Sequence, residues 1–434
     1  MAKFHFKFAC TALLVGVSFF NPAFSAYERD SSTQKDTLYL TLLQADRLFI
    51  DSNLLLLAAH YNVDANNALI GQAKLWNNPV LNTDQVINAG GKFFPYGKNP
   101  DGTYNGQYYI QIQQLISTAG KRSKLVKLAS TNAKLAELQL QDAMRSLRLQ
   151  LHTDYFSLQQ LVSIGRLYGG QMEKLNALLQ GMKAQLDAGN IAQRDFLRVQ
   201  SLVVALQQDI TENNRAMEDA AADLRILLKL KGDTQIIPVD SLSQSVETPA
   251  LETCINAALI NNPDYLAQQQ QLVFQQQNLS YQQALKTPDI TISPEFDRNS
   301  QFAQNFFGLG ISLPLPVFNK NQGNIKSAAM NIKEAEAVVN NANITLQNNV
   351  TAAYKKLQLT QYQNNTSQKD FYSTYKILFD NMLKSYKQKQ VSLVDFVDFY
   401  TAFTETELRR IQQQFNLQTA REELNYQTGI NIIQ

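Results

Sequence analysis

The second half of this chain repeats the first at an offset of about 200 residues. Asp195-Phe196 recurs as Asp395-Phe396, Tyr155 and Leu158 recur as Tyr354 and Leu357, and Ala129 recurs as Ala328. Each half reads as a helix, two strands, a long helix and a returning helix. An internal repeat constrains fold more than any local motif, because a unit built twice assembles around an axis. The pattern points to an architecture and away from a compact catalytic domain.

The strands carry the sharpest local signal. Tyr108, Ile110, Ile112 and Ile116 alternate with Gln107, Tyr109, Gln111 and Gln113, and Phe307, Leu309, Ile311, Leu313 and Leu315 alternate with Phe306, Gly308, Gly310 and Ser312. Ile290, Ile292 and Phe296 form an earlier, shorter set behind the helix stop at Pro288, as Pro79 stops the helical stretch of residues 36–75. One apolar face and one polar or small face over such lengths suits a membrane barrel, with lipid outside and water inside. An ordinary half-buried sheet has the same alternation. Two strands per half do not make a stable sheet, so they need partners from the other half and from other subunits. The Gly- and Asn-rich run from Ala89 to Asn105 reads as the loop of the first pair, and Asp297 to Gln304 as the shorter loop of the second.

Long helical stretches follow, from Ser117 to about Leu186 and from Asn324 to about Gln388. At ~1.5 Å per residue each spans on the order of 100 Å. Gly165, Gly169 and Gly170 predict a break or distortion midway along the first. Asp187-Ala188-Gly189-Asn190 turns the chain back, and helices return from about Ile191 and Ser392.

Lys3 and Lys7, the apolar run Phe8–Phe20 and Ala23-Phe24-Ser25 read as a secretory signal over residues 1–25. Residues 26–230 then form the first repeat, with strands near 79–88 and 106–116. Residues 231–250 form a linker, and 251–434 the second repeat, with strands near 288–297 and 305–315. Without Lys3 and Lys7 the 39 basic residues fall level with the 37 acidic ones, so nothing argues for nucleic acid or an anionic surface as a partner. Cys254 is then the one cysteine left, and no second apolar run is long enough for a spanning helix. His60 and His152 lack metal-ligand spacing, and no phosphate loop, nucleophile elbow or carboxylate pair for catalysis stands out. The expectation is no catalytic residue, no cofactor and no metal.

Over nearly the whole chain these features resemble the TolC family of outer-membrane efflux channels. The matching elements are the duplication, Asn77-Asn78-Pro79, Asn261-Asn262-Pro263, Leu313-Pro314-Leu315-Pro316-Val317-Phe318 leading to Gly323 and Ala328, and the two hairpin tips. The resemblance implies a mainly α fold with a membrane β-barrel: a homotrimeric twelve-stranded barrel in outer-membrane lipid above a long periplasmic α-helical barrel. It also implies a periplasmic adaptor (membrane-fusion) protein and an inner-membrane pump, often of the resistance-nodulation-division type. The chain would be a passive duct. A secreted or periplasmic helical structural or adhesive protein is the alternative.

The same resemblance directs attention to the helical tips. Asp395 and Asp398, three apart on one helix face, match aspartates that line a periplasmic constriction, where a ring of carboxylates favours cations. Ser392-Leu393-Val394-Asp395 is also a capping box, in which the acid only offsets the helix dipole. Tyr386 and Asp195 match positions that hold the entrance closed, but Val391 stands where an arginine of that network is common, with Lys387 or Lys389 as substitutes. Gly189, Asn190, Gln390, Val391 and Ser392 would meet the adaptor. Phe93, Phe94, Tyr96, Tyr108 and Tyr109 would form the barrel's interfacial girdle.

Overall fold

The computed structural model describes residues 36–240, 247–300, 302–364 and 369–433. The expected signal segment lies outside the described residues. Strand β1 (Thr37–Leu40) is followed by helices α1 (Leu42–Ser52) and α2 (Leu54–Ala73), then by β2 (Val80–Gln85). Four two-residue strands come next, β3 (Asn88–Ala89), β4 (Lys92–Phe93), β5 (Gly97–Lys98) and β6 (Tyr104–Asn105). The half closes with β7 (Tyr108–Ile116), α3 (Lys121–Asp187) and α4 (Gln193–Leu227). The second half holds β8 (Gln235–Pro238), α5 (Leu251–Asn261), α6 (Pro263–Leu285), β9 (Ile290–Asn299), β10 (Gln304–Ser312), α7 (Gln322–Gln363), α8 (Lys369–Lys387) and α9 (Leu393–Thr428).

Both halves use the same device where the chain enters the helix before the strands. Asn53 caps α2, its Oδ1 accepting from the Leu55 and Leu56 N–H groups at 2.9 and 3.0 Å while its Nδ2 donates to Leu227 O at 3.0 Å. Asn262 caps α6 in the same way, accepting from Tyr265 N–H at 3.2 Å and donating to Gln427 O at 3.0 Å. Each asparagine therefore satisfies helix-end donors and ties the end of a returning helix to the start of its own repeat.

The four long strands form one antiparallel sheet in the order β10-β9-β7-β2, so each repeat contributes a hairpin and the hairpins join at β7–β9. The register pairs Ile110 with Phe296, Phe296 with Phe307, and Ile112 with Leu81, which puts these side chains on one face. Ile110, Ile112, Leu81 and Phe307 are 42%, 48%, 62% and 79% exposed, so the face lies open along a sheet with two free edges. The opposite face is polar and bonded across strands. Glu295 accepts from the Tyr109 hydroxyl at 2.7 Å and from Gln111 Nε2 at 2.9 Å, and Gln111 Oε1 accepts from Asn82 at 3.2 Å. Tyr109 thus leaves the expected aromatic girdle for the polar face; its parity with Gln111 decides it. The expected loop Asp297–Gln304 is also shorter, because β9 runs on to Asn299. At its other end β10 stops at Ser312, before Pro314 and Pro316, which lack the N–H a ladder needs.

Helix α3 is continuous over 67 residues, and the expected break at Gly165, Gly169 and Gly170 is absent. Three glycines cost roughly 1 kcal/mol each against alanine, which tertiary packing overrides. Gly165 has a use: a Cβ there would lie 3.3 Å from Asn213 Nδ2, and that amide donates to Leu161 O at 3.2 Å. The interruption falls in the second half, where α7 ends at Gln363 and Asn364 Nδ2 donates to Thr360 O at 2.9 Å and Gln413 O at 3.2 Å. A second departure is β1, which begins a stretch expected to be helical. It pairs in parallel with β8, inside the expected linker.

Three apolar clusters hold these parts together. One joins β1, α1, α3, the end of α4 and β8 around Phe49, Leu151 and Tyr155; one joins α5, α7 and α9 around Val350, Leu357 and Leu417. The third lies along the two helical hairpins, toward their tips. Among the described residues no helix is long and apolar enough to cross a membrane.

Candidate functional site at the helical tips and the polar sheet face

The two hairpin turns are built alike. Asn190 N–H donates to Gln185 O at 2.8 Å and Gly189 N–H to Leu186 O at 2.9 Å; Gln390 N–H donates to Ser385 O at 2.8 Å and Lys389 N–H to Tyr386 O at 2.9 Å. These are the paired bonds of a helix ended by a left-handed residue. Gly189 has φ +74°, and Lys389 carries the same turn at φ +61°. A non-glycine residue pays about 1–2 kcal/mol for that conformation. Lys389→Gly is expected to raise stability by about 1 kcal/mol and Gly189→Ala to lower it similarly. The urea midpoint of the purified protein checks both, and nothing within 4 Å of the Gly189 Cβ position complicates the second.

Helix α9 starts at Ser392, whose Oγ accepts from Asp395 N–H at 3.2 Å and donates to Asp395 Oδ2 at 2.8 Å. Asp395 is therefore engaged in the cap. Asp398 is exposed and, among the described residues, bonded to no partner. Asp195 lies in the first turn of α4 with Arg194 Nε at 3.4 Å. Tyr386 stacks on Phe396 at 5.1 Å, and its hydroxyl faces Met182 Sδ at 3.8 Å rather than a carboxylate. Burial raises the Tyr386 pKa, and the charge of Asp195 adds to the rise, so the two are neighbours without a hydrogen bond. Lys387, Lys389, Asn190 and Gln390 are exposed, and Val391 is half-buried.

Contacts that sequence reasoning missed fasten one hairpin to the other. Buried Gln171 of α3 donates to Thr404 Oγ1 at 2.9 Å and accepts from the Tyr400 hydroxyl at 3.1 Å, both on α9. Lys174 pairs with Asp380 of α8 at 2.5 Å, and Phe379 stacks on Phe403 at 4.2 Å. An aromatic spacing of four along 371–375–379 was the available signal for the α8 stripe.

A second group of charges, also unseen in sequence, is buried where α1, α3 and α9 meet. His152 Nδ1 lies 2.8 Å from Glu422 Oε2, and its Nε2 lies 3.0 Å from Asp46 Oδ1. Arg148 grips Asp46 with two bonds of 3.0 and 2.8 Å, and Arg421 grips Glu422 with two of 3.0 and 2.8 Å. Burial opposes charge on His152, but hydrogen bonds and attraction from the two carboxylates outweigh it and raise its pKa to about 9. Burial likewise pushes Asp46 up, yet His152 and Arg148 hold it down at about 2. Both imidazole nitrogens are committed to carboxylates already matched by arginines, so the group is a structural pin. No cluster fit to hold a metal occurs among the described residues.

Comparison with known proteins agrees with this geometry. The family model for outer membrane efflux proteins matches residues 47–228 and 254–429. The cobalt-zinc-cadmium resistance protein CzcC of Cupriavidus metallidurans is 24% identical over 354 residues, 80% of this chain and 81% of CzcC. Among solved structures, CusC aligns with a TM-score of 0.73 at 16% identity, over 95% of this chain and 99% of that chain. The Campylobacter jejuni CmeC outer membrane channel aligns with a TM-score of 0.73 at 15% identity, over 90% and 86%. The resemblance to TolC-family channels therefore holds, and with it a mainly α fold whose sheet joins those of other copies in a barrel. The chain belongs to the outer membrane efflux protein family: it is an outer-membrane channel within a multi-component exporter, with its helices standing in the periplasm.

Proposed function

We propose that the channel is a homotrimer taking cargo from a resistance-nodulation-division pump through a periplasmic adaptor, which docks on Gly189, Asn190, Gln390, Val391 and Ser392. Residues 1–25 direct export, and the repeats 26–230 and 251–434, joined by 231–250, each supply one barrel hairpin and one helical hairpin. Transport is passive and makes or breaks no bond. The observation that carries the entrance is the exposed Asp398 one turn beyond Asp395 on α9. Three copies bring these carboxylates around one axis, where they favour cations. Asp195 and Tyr386, adjacent but unbonded within one chain, belong to the same constriction. The relationship to a cobalt-zinc-cadmium resistance protein supports divalent metal cations as cargo.

The test is single-channel current in a planar bilayer, for the native protein and for Asp395→Asn/Asp398→Asn. A small cation-preferring current that grows and loses its preference in the variant is expected. Because Asp395 is shared with the cap of α9, Asp398→Asn alone should account for most of the lost preference. A current indifferent to both substitutions would remove the aspartates from the entrance and leave the channel in place.

A further inference from the structure

Directly below the sheet, α2, α3 and α6 frame a groove of about 880 Å³ whose walls include Leu69, Trp76, Leu125, Phe274 and Leu285. Its orientation follows from Gln114. That residue shares parity with Ile110, Ile112 and Ile116 on β7 and pairs with Ile292, so it belongs to the apolar face. Its Nε2 donates to Asn77 O at 2.9 Å, and Asn77, beside Trp76, lines the groove. The groove is therefore continuous with the lipid-facing side of the barrel, at the periplasmic end from which the helices leave.

Two cations, Lys121 and Arg122, and one carboxylate, Asp289, line it. Arg122 holds its guanidinium 4.1 Å from the centre of the Trp76 ring, and among the described residues it has no carboxylate partner. Trp76 is itself 63% exposed. Lys74 and Lys286 are exposed at the C-terminal ends of α2 and α6. Among the described residues Asp289 is the one carboxylate lining the groove, and it is taken by Lys121 Nζ at 2.7 Å and by Thr118 N–H at 2.8 Å. What remains is an apolar slot with a free guanidinium stacked on an exposed tryptophan, at the height of a membrane–water interface.

We infer that this groove holds a phospholipid of the periplasmic leaflet, with its phosphate on the Arg122 guanidinium. A planar fork of N–H donors matches two phosphate oxygens, and tryptophan settles at the headgroup level. The acyl portion lies on Leu75, Leu125 and Leu285 and continues upward onto Ile116 and Ile290 of the sheet. The inference rests on the outer-membrane placement of the family, and it is independent of the aspartate entrance. The bound lipid would fix the junction between barrel and helices, where Pro79 and Pro288 interrupt the backbone ladder.

The experiment is native mass spectrometry of the purified, detergent-washed trimer titrated with phosphatidylglycerol or phosphatidylethanolamine. The native protein and Lys333→Gln, an exposed cation on α7, should retain lipid equally; Arg122→Gln should bind it about tenfold more weakly, the loss of a charge-assisted phosphate contact. Trp76→Ala should weaken retention in the same direction. Channel current of Arg122→Gln should stay at the native level, which separates this proposal from the channel reading. Equal retention by native protein and Arg122→Gln would overturn the proposal. So would full displacement of the lipid by millimolar inorganic phosphate, which would make the site one for free phosphate. Loss of trimer in Arg122→Gln with an unchanged lipid count would assign the groove to a second copy of the chain.

Discussion

Replacing His152 with alanine is expected to destabilise each protomer by about 3–5 kcal/mol, the range for breaking a buried ion network by removing one partner. The figure should fall near the lower end, because Arg148 still neutralises Asp46 and Arg421 still neutralises Glu422. What is lost is the bridge: among the described residues His152 is bonded to both carboxylates, and so ties α1 to α9 across α3. His152→Leu, which fills the volume but leaves the carboxylates with one cation fewer, should be comparably poor. Arg148→Met, at a side chain 37% exposed, should cost no more than about 1 kcal/mol. Urea midpoints of the purified trimer in detergent, followed by circular dichroism, measure all three.

The pH dependence has a definite sign. The folded pKa of His152 stands at about 9, above its ordinary value of 6.5. Its contribution is therefore complete below pH 6.5 and lost as pH rises through about 9. Asp46 is held down to about 2 from 3.8, so its contribution is complete above pH 3.8 and lost as pH falls through about 2. The gap in stability between the native protein and His152→Ala should be widest between pH 3.8 and 6.5, narrow steadily from there to about pH 9, and level off above it. A gap that stays constant to pH 10 would show that the imidazole is neutral in the folded protein and that the pin works by packing alone.

This pin also marks where sequence reasoning stops. Asp46, His152 and Glu422 come from three separate helices, and no periodicity connects residues more than a hundred positions apart. The same holds for Thr37–Leu40 and Gln235–Pro238: each is four residues of parallel strand, too short to alternate visibly, and each is specified only by the other. Local physics was legible where a single segment decides its own state. Prolines ended the helices before the strands, alternation assigned the two sheet faces, and Gly189 marked the first hairpin turn, whereas the last strand was read through Pro314, which lacks the N–H a ladder needs. Gly165 misled because its cost is local while its reason, the approach of Asn213 from α4, is tertiary. At the tips, the aspartates were visible by repeat and spacing. The Gln171 and Lys174 contacts that join the hairpins were not, since they cross from α3 to elements more than 200 residues later.

Ile110→Lys is expected to abolish outer-membrane assembly, while Gln111→Lys, one residue further along β7, is expected to be tolerated. Ile110 lies on the open apolar face, paired with Phe296 and Thr83, and the four strands present no carboxylate on that face to meet an ammonium group. A lysine facing hydrocarbon at mid-depth costs about 2–4 kcal/mol per site, and the trimer incurs it in every protomer. Leu309→Lys on β10, at a side chain 67% exposed, should behave the same way. Gln111 points to the opposite face, where its Nε2 donates to Glu295 Oε2 at 2.9 Å. A lysine there keeps a carboxylate within reach and stays in water. The measurement is the yield of heat-resistant trimer in outer-membrane fractions for the three variants. The contrast between neighbouring positions carries the argument, because a soluble helical rod with a half-buried sheet would predict modest, similar losses of packing for Ile110→Lys and Leu309→Lys, with trimer yield unchanged in all three.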